Sequence, residues 1–373
     1  MEIGVPREIK THEYRVGLTP DNVHALVEQG HRCWIEKDAG LAIDYSDDVY
    51  QQAGASVVDS AAEVYAQAEL VVKVKEPQPM ECERLRPGQV VFGFFHLAAD
   101  KKLVEQLLAT KAVCIAYETV TDNHGALPLL APMSEIAGRM AVQSGIHHLE
   151  NPRGGRGVLL GGVTGVLPGR VVIIGGGMVG TQAARMAAGL GADVIIIDKS
   201  IARLRELDQL FQGRIKTLAA SPRNIERSVV EADLVVGAVL VSGAAAPKVI
   251  RRALLKKMKP GSVIVDVAID QGGCCETSHP TTHEAPTFIV DDVIHYCVAN
   301  IPGAVARTST QALTNATFPY VEKQAASGFR RALLDDDGFR LGLNIFNGVV
   351  THEVVARTFS MEWQDPKVLL EKR

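Results

Sequence analysis

The 373-residue sequence predicts an α/β protein with parallel sheets in two domains, and three observations carry that expectation. Short β-branched runs alternate with helical stretches along most of the chain, the pattern of strands that need crossover helices. A turn rich in glycine, with Gly175, Gly177 and Gly180, joins an apolar strand to an alanine-rich helix. The length also suits two cores of ordinary size better than one.

In chain order, the first strand is expected at residues 2–6. The helix after it opens at Thr19-Pro20, a capping residue followed by a proline suited to the first turn, and closes at Gly30. Strands follow at 32–36, 70–74, 90–95 and 113–117, with helices near 47–53, 61–67 and 101–110 between them. Pro128, Pro132 and then Ser134 as a cap introduce a long connector helix, which Pro152 stops. Residues 157–160 and 163–167, split by Gly161-Gly162, read as a hairpin. A second domain then opens at Arg170, with further parallel strands near Thr217 and at 234–238, 263–267 and 288–290. A helix is expected over 308–333, and the tail reads as helical, without a new sheet, returning to the first domain. The expected domains are therefore 1–128 with 307–373, and 129–306.

Composition excludes several function classes. Lys+Arg number 39 against 43 Asp+Glu, a net charge of -4 without a basic tract, so no nucleic-acid partner is expected. The most apolar stretch, 158–197, is interrupted by Arg170, Gln182, Arg185 and Asp193, so no membrane span is expected. The first residues lack the apolar stretch of a signal peptide. Cys33, Cys82, Cys114, Cys274, Cys275 and Cys297 form no C-x-x-C, which fits reduced thiols and a cytoplasmic address.

The glycine turn has the context that a dinucleotide site needs. An apolar strand precedes it, Ala183, Ala184, Ala187 and Ala188 mark the helix after it, and Asp198 ends the next strand. This is a Rossmann-like unit. Gly175 permits the tight turn, Gly177 lets the backbone approach a pyrophosphate, and Gly180 allows close helix packing, while the helix N-terminus offers unpaired amides to the phosphates. Asp198 would hold an adenosine ribose and repel a 2′-phosphate, which favours NAD over NADP, although Arg203 partly offsets that charge.

In open α/β sheets ligands collect at the carboxyl ends of strands, so polar residues just after predicted strands are the candidates. Arg15, Lys75 and His96 all qualify. A guanidinium with an ammonium suits a small carboxylate with a neighbouring carbonyl, and His96 is a natural proton shuttle near neutral pH. Lys73 shares the strand parity of Lys75 and is expected to be the solvated one. His12, His24, His31, His147 and His148 read as surface or helix-face residues. Asp270 follows the strand at 263–267 as a proton carrier or a turn former, whereas Asp266 within it reads as structural. Cys275, His279 and His283 recur every four residues, but Pro280 and Gly272-Gly273 argue for a loop and no fourth ligand is evident, so no metal site is expected. Neither Cys274 nor Cys275 opens a helix or has a predicted base partner, so neither is expected to be a nucleophile.

The stretches GVPREIKTHEYRVGLTPDNVHALVEQG and IIGGGMVGTQAARMAAGLGADVIIID resemble the two signatures of the alanine dehydrogenase and transhydrogenase α-subunit family. The resemblance extends over the whole chain. VVKVKEP, FGFFHLA, PLLAPMSEIAGRMAVQ, DVAIDQGGCCETSHPTTH and VANIPGAVARTST resemble its alanine dehydrogenase branch. His12 departs from the asparagine usual in the first signature, while Arg15 is retained. The resemblance implies two Rossmann-like domains joined by long connector helices, one of them discontinuous. It also implies NAD-dependent oxidative deamination of L-alanine to pyruvate and ammonia, in a homohexamer. Arg15 and Lys75 would then bind the substrate carboxylate and carbonyl, and His96 and Asp270 would be the acid/base pair. Phe94 and Met133 would crowd the substrate side chain in favour of a methyl group. Ser134, Met178, Val179, Asp198, Arg203, Val239, Leu240, Val267, Val298 and Asn300 would line the nicotinamide cofactor, with Asn300 also at the substrate. A soluble transhydrogenase-type subunit and a non-catalytic NAD-binding sensor are the alternatives, and the sensor has no use for Arg15, Lys75 and His96 together.

Overall fold

Glu2–Val5 (β1), Arg32–Glu36 (β2), Ser56–Val58 (β3), Leu70–Val72 (β4), Val90–Gly93 (β5) and Val113–Ala116 (β6) run parallel, side by side, in the order β3-β2-β1-β4-β5-β6. They belong to the first of two units in the computed structural model, which describes residues 1–239 and 246–371. That unit comprises Met1–Met133 and Val305–Arg373, and the second is Ser134–Ala304. Every residue of β4, β5 and β6 is buried, as parallel strands covered on both faces require. Each enclosed Val, Ile or Leu there contributes about 1.5–3 kcal/mol relative to exposure.

The chain proceeds outward from β1 to β3 on one side and from β4 to β6 on the other. The switch point of this sheet therefore lies between β1 and β4, where a crevice opens at the carboxyl edge. The helix Pro20–Glu28 starts as expected: Thr19 Oγ1 accepts from the Asn22 amide at 3.3 Å and Asn22 Oδ1 accepts from the Thr19 amide at 3.1 Å.

The tail departs from expectation. It holds two strands, Leu343–Phe346 (β14) and Val349–Val350 (β15), which continue the sheet antiparallel beyond β6. Their turn is Asn347-Gly348, with φ values of 50° and 79°, the double left-handed conformation of a two-residue hairpin turn. The helix expected over 308–333 is Ala306–Ser327. Gly328, with φ 75° and ψ 152°, ends it before a separate helix, Phe329–Leu334.

The second unit is built on Arg170–Ile174 (β7), Asp193–Asp198 (β8), Lys216–Ala219 (β9), Leu234–Gly237 (β10), Val263–Asp266 (β11), Thr287–Val290 (β12) and Val293–Tyr296 (β13), in the order β12-β13-β11-β10-β7-β8-β9. Its switch point falls between β7 and β10. The parallel pattern expected to include 288–290 fails at the edge, because β12 pairs antiparallel with β13 through Asp291-Asp292, both at positive φ. The connector helix is Ala131–Leu149, so Ser134 lies inside its first turn and is not the cap. The hairpin expected over 157–167 is reduced to one bridge between Val163 and Val166. Among the described residues no helix is long and apolar enough to cross a membrane.

Candidate active site

Three of the residues expected at strand ends project from the same carboxyl edge of the first sheet: Arg15 follows β1, Lys75 follows β4 and His96 follows β5. Arg15 is buried, and its guanidinium is gripped by Glu13, with Nε donating to Oε1 at 2.7 Å and Nη2 to Oε2 at 2.6 Å. Nη1 donates to Met133 Sδ at 3.1 Å, which brings Met133 to the same place. Burial, with the positive charge of Arg15 beside it, holds the Lys75 ammonium below the ordinary lysine range, and Glu13 opposes that in part.

Beneath Lys75 lies a buried ionic network. Glu8 Oε1 accepts from the amides of Val74 at 2.7 Å and Lys75 at 3.2 Å, and Glu8 Oε2 accepts from Lys73 Nζ at 3.3 Å. Lys73 Nζ also donates to Glu81 Oε1 at 2.7 Å, where the Tyr65 hydroxyl donates too. Lys73 is wholly enclosed, which corrects the expectation that it is solvated. Burial works against its charge, but Glu8 and Glu81 outweigh that and hold it above the ordinary lysine range. Burial pushes Glu8 up, with Lys73 opposing.

His96 begins the short turn Leu97–Ala99 with its own backbone left-handed and its side chain half exposed. Its ring lies parallel to that of buried Phe94, 5.7 Å between centroids, and Phe94 meets Tyr117 edge to face at 5.1 Å. Phe94, Met133, Arg15 and His96 thus all stand at this one edge. Glu118, in the turn Tyr117–Thr119 directly after β6, accepts from the amides of Phe95 and His96. Glu8, Glu13 and Glu118 do not figure in the sequence reading. For Glu118 the rule that found His96, a polar residue just past a strand, would have served.

In the second unit the glycine turn follows β7. Gly175 has φ 103°, and a Cβ there would lie 2.4 Å from the Ala238 carbonyl oxygen; a Cβ on Gly180 would lie 1.9 Å from that of Gly175. Gly177 caps the helix Met178–Gly189 without a side-chain bond, leaving first-turn amides for an anion. Asp198 ends β8, its Oδ2 accepting from the Gly176 amide at 2.6 Å and its Oδ1 from the Ser200 amide at 2.8 Å. Arg203 turns back onto the loop, donating to the Gly176 carbonyl at 2.7 Å, to Thr181 Oγ1 at 2.8 Å and to Glu206 at 2.6 Å. The open, uncapped helix start beside a ribose-competent carboxylate fits a nicotinamide dinucleotide.

The remaining expected residues are distributed as follows. Val239 follows β10, while Leu240 lies outside the described residues. Val267 and exposed Asp270 share the turn Val267–Gln271 after β11. Val298 is fully buried, and Asn300, at φ 63°, accepts from His283 Nε2 through its carbonyl at 3.2 Å. Met178 is exposed, and Val179 and Ser134 are partly so. Asp266 has the structural role expected: its Oδ2 accepts from the Cys274 and Cys275 amides at 2.8 and 3.1 Å and from Ser278 Oγ at 2.6 Å. Burial pushes the thiols of Cys274 and Cys275 up and that of Cys297 to about 12. His279 stacks on Phe288 at 3.7 Å, and among the described residues no three His, Cys, Asp or Glu side chains gather as metal ligands. His148, expected as a surface or helix-face residue, is buried in the connector helix, its ring 5.2 Å from that of His147 and 5.7 Å from that of Tyr296.

Residues 4–137 match the family described as Alanine dehydrogenase/PNT, N-terminal domain, and residues 141–353 match its C-terminal domain. The alanine dehydrogenase of Halomonas elongata is 56% identical over 370 residues, covering 99% of this chain and 100% of that protein. That of Bacillus subtilis is 53% identical, covering 97% and 96%. A solved L-alanine dehydrogenase superposes with a TM-score of 0.94 at 52% identity, covering 96% of this chain and 99% of the other. A transhydrogenase from Sinorhizobium meliloti shares the fold, with a TM-score of 0.81 at 22% identity over 95% of this chain and 99% of the other. Two Rossmann-like units with a dinucleotide turn in one and a cationic strand edge in the other, together with these matches along nearly the whole chain, mean that it belongs to the alanine dehydrogenase/PNT family.

Proposed function

We propose that this chain is an L-alanine dehydrogenase in which L-alanine, NAD⁺ and water give reversibly pyruvate, ammonium, NADH and one proton. The observation that carries the reading is the convergence of Arg15, Lys75 and His96 at the switch-point edge of the first sheet, flanked by Phe94 and Met133. Arg15, oriented by Glu13, binds the substrate carboxylate. Lys75 faces the oxygen that water brings to the imine carbon and stabilises charge on it through the carbinolamine, until loss of ammonia leaves it as the carbonyl oxygen of pyruvate. Phe94 and Met133 restrict the side-chain space to a methyl group. His96 takes the proton of the attacking water and returns it to the departing amine, with Asp270 of the second unit as the other proton carrier.

When bound, the nicotinamide accepts or returns the hydride of the substrate α-carbon. The amides that open the helix Met178–Gly189 would hold its pyrophosphate, and Val239, Leu240, Val267, Val298, Asn300 and Ser134 complete the cofactor set. Asp198 supports NAD over NADP, because its carboxylate stands where a 2′-phosphate would have to be received. Arg203 directs three of its five N–H donors to Gly176, Thr181 and Glu206, and the Glu206 carboxylate answers part of its charge.

The assembly proposed is a cytoplasmic homohexamer. All six cysteines are free, which supports a reducing compartment. Leu159, Val163, Val166 and Leu167 are 59–88% exposed on one short turn, apolar surface of the kind that subunits cover.

The test is NADH formation, followed at about 340 nm where reduced nicotinamide absorbs, with L-alanine and either NAD⁺ or NADP⁺, in the wild type and in His96→Ala. Turnover with NAD⁺ that is lost in the variant supports the reading. Protein that binds NADH but does not turn over L-alanine would point instead to a sensor or a transhydrogenase-type subunit.

A further inference from the structure

The backbone of His96 has φ 51° and ψ 38°, the left-handed region that is uncommon for a residue with a Cβ. The Glu118 carboxylate receives the amide of this residue and that of the residue before it. Oε1 accepts from the His96 amide and from the Phe95 amide at 3.2 Å, and Oε2 lies 3.3 Å from the same Phe95 amide. These two amides leave the end of β5, that of Phe95 partly buried and that of His96 exposed, and a carboxylate that receives both ties the path of the chain through this turn to the end of β6. Glu118 is itself fixed by the turn Tyr117–Thr119 that follows the neighbouring strand β6, and it is only 14% exposed. Its Oε1 lies 3.9 Å from His96 Nδ1, and Phe94 supports the flat face of the same ring.

A second histidine stands close to Glu118. His352 precedes the helix Glu353–Phe359, and its Nδ1 is buried with no hydrogen-bond partner among the described residues. Burial lowers its pKa, while the negative charges of Glu118 and Glu353 oppose that. Glu118 is thus an acidic group that binds the turn of His96 and lies near enough to the start of the helix Glu353–Phe359 for its charge to act on His352.

We propose that Glu118 is a positioning residue for proton transfer: by receiving the Phe95 and His96 amides it holds the His96 main chain in its left-handed conformation and so aims the imidazole at the substrate. The inference rests on the reading of His96 as the proton-transfer group. Arg15 and Lys75, which bind the substrate, are set by Glu13 and Glu8 instead. Removing Glu118 thus separates catalysis from binding.

The experiment measures steady-state kinetics of L-alanine oxidation for Glu118→Gln, Glu118→Ala, His96→Ala and the double variant His96→Ala/Glu118→Ala, each with its melting temperature. Glu118→Ala is expected to lose kcat at least tenfold with KM for L-alanine changed less than twofold. Glu118→Gln, which keeps one acceptor oxygen, is expected to fall between it and the wild type. The double variant is expected to be no slower than His96→Ala alone, because Glu118 acts only through that ring. If Glu118→Ala does not fold, Glu118→Gln decides, and a folded Glu118→Gln with wild-type kcat overturns the proposal. So does a double variant slowed by the full single-variant factor. Full turnover by His96→Ala would instead overturn the underlying reading of His96.

Discussion

The Arg15 guanidinium and the Glu13 carboxylate meet edge to edge inside the first unit, Nε to Oε1 at 2.7 Å and Nη2 to Oε2 at 2.6 Å, with side chains 2% and 0% exposed. The pair orients a cation that would otherwise sample many rotamers, and so prepares it for an incoming carboxylate. Glu13→Gln can offer only one acceptor to this fork. KM for pyruvate is expected to rise about tenfold, roughly 1.4 kcal/mol, with kcat reduced less. Arg15→Lys, which cannot reproduce the planar fork, is expected to lose about 100-fold in kcat/KM. Steady-state kinetics in the amination direction check both, and an unchanged KM in Glu13→Gln would remove the preorganisation argument.

Lys75 bears a charge that its surroundings disfavour, through burial and then through Arg15. Its folded pKa lies below the unfolded value, so the unfolded chain binds more protons between the two, and this residue's contribution to stability rises with pH through that window. Below its folded pKa the folded state carries the cost in full. Lys75→Met is therefore expected to melt at or above the wild-type temperature while losing turnover. Melting below the wild type would show that Lys75 holds the fold rather than the substrate.

Lys73 has the opposite sign. Its folded pKa is raised by Glu8 and Glu81 against burial, so its contribution is fully present below the unfolded value and is lost as pH rises through the folded one. Lys73→Met leaves two carboxylates enclosed without their cation, at an expected cost of about 3–5 kcal/mol in urea unfolding. Adding Glu8→Gln and Glu81→Gln is expected to recover part of it. A loss below about 1 kcal/mol, within the range of exposed pairs, would contradict the buried network.

Two glycines of the dinucleotide turn separate folding from binding. A Cβ on Gly180 would meet the Gly175 carbonyl oxygen at 1.9 Å, whereas one on Gly177 meets nothing within 4 Å. Gly180→Ala is expected to lower the melting temperature and NADH affinity together. Gly177→Ala is expected to melt like the wild type and still bind NADH at least tenfold more weakly, because its methyl group occupies the pyrophosphate approach. Fluorescence titration with NADH and thermal melting measure the two effects, and wild-type affinity in Gly177→Ala would move the phosphates elsewhere.

The parallel sheets, the glycine turn and the cationic edge were legible in the sequence because each depends on local pattern: β-branched runs, glycine spacing, and polar residues where a strand stops. Asn347-Gly348 was legible on the same terms, as a hairpin dipeptide between apolar runs, although the tail reads as helix when periodicity alone is weighed. Lys73 was not legible. Alternation assigns a solvated face to every second residue, but β4 is a central strand covered on both sides, so the face that Lys73 occupies is the interior.

The order of strands was likewise beyond the sequence, and the carboxylates of the site take their meaning from it. Glu8, Glu13 and Glu118 look like ordinary surface acids until β1 lies beside β4, and β6 beside β5. Those pairings bring Glu8 to the amide of Lys75 and Glu118 to the amide of His96. The sequence by itself determined the central parallel strands, the dinucleotide turn and which cations stand at strand ends, since short-range sterics and periodicity govern them. Only the tertiary structure decided which acid holds which cation or amide, because ion pairs and amide acceptors are set by distance between strands that the chain brings together from far apart.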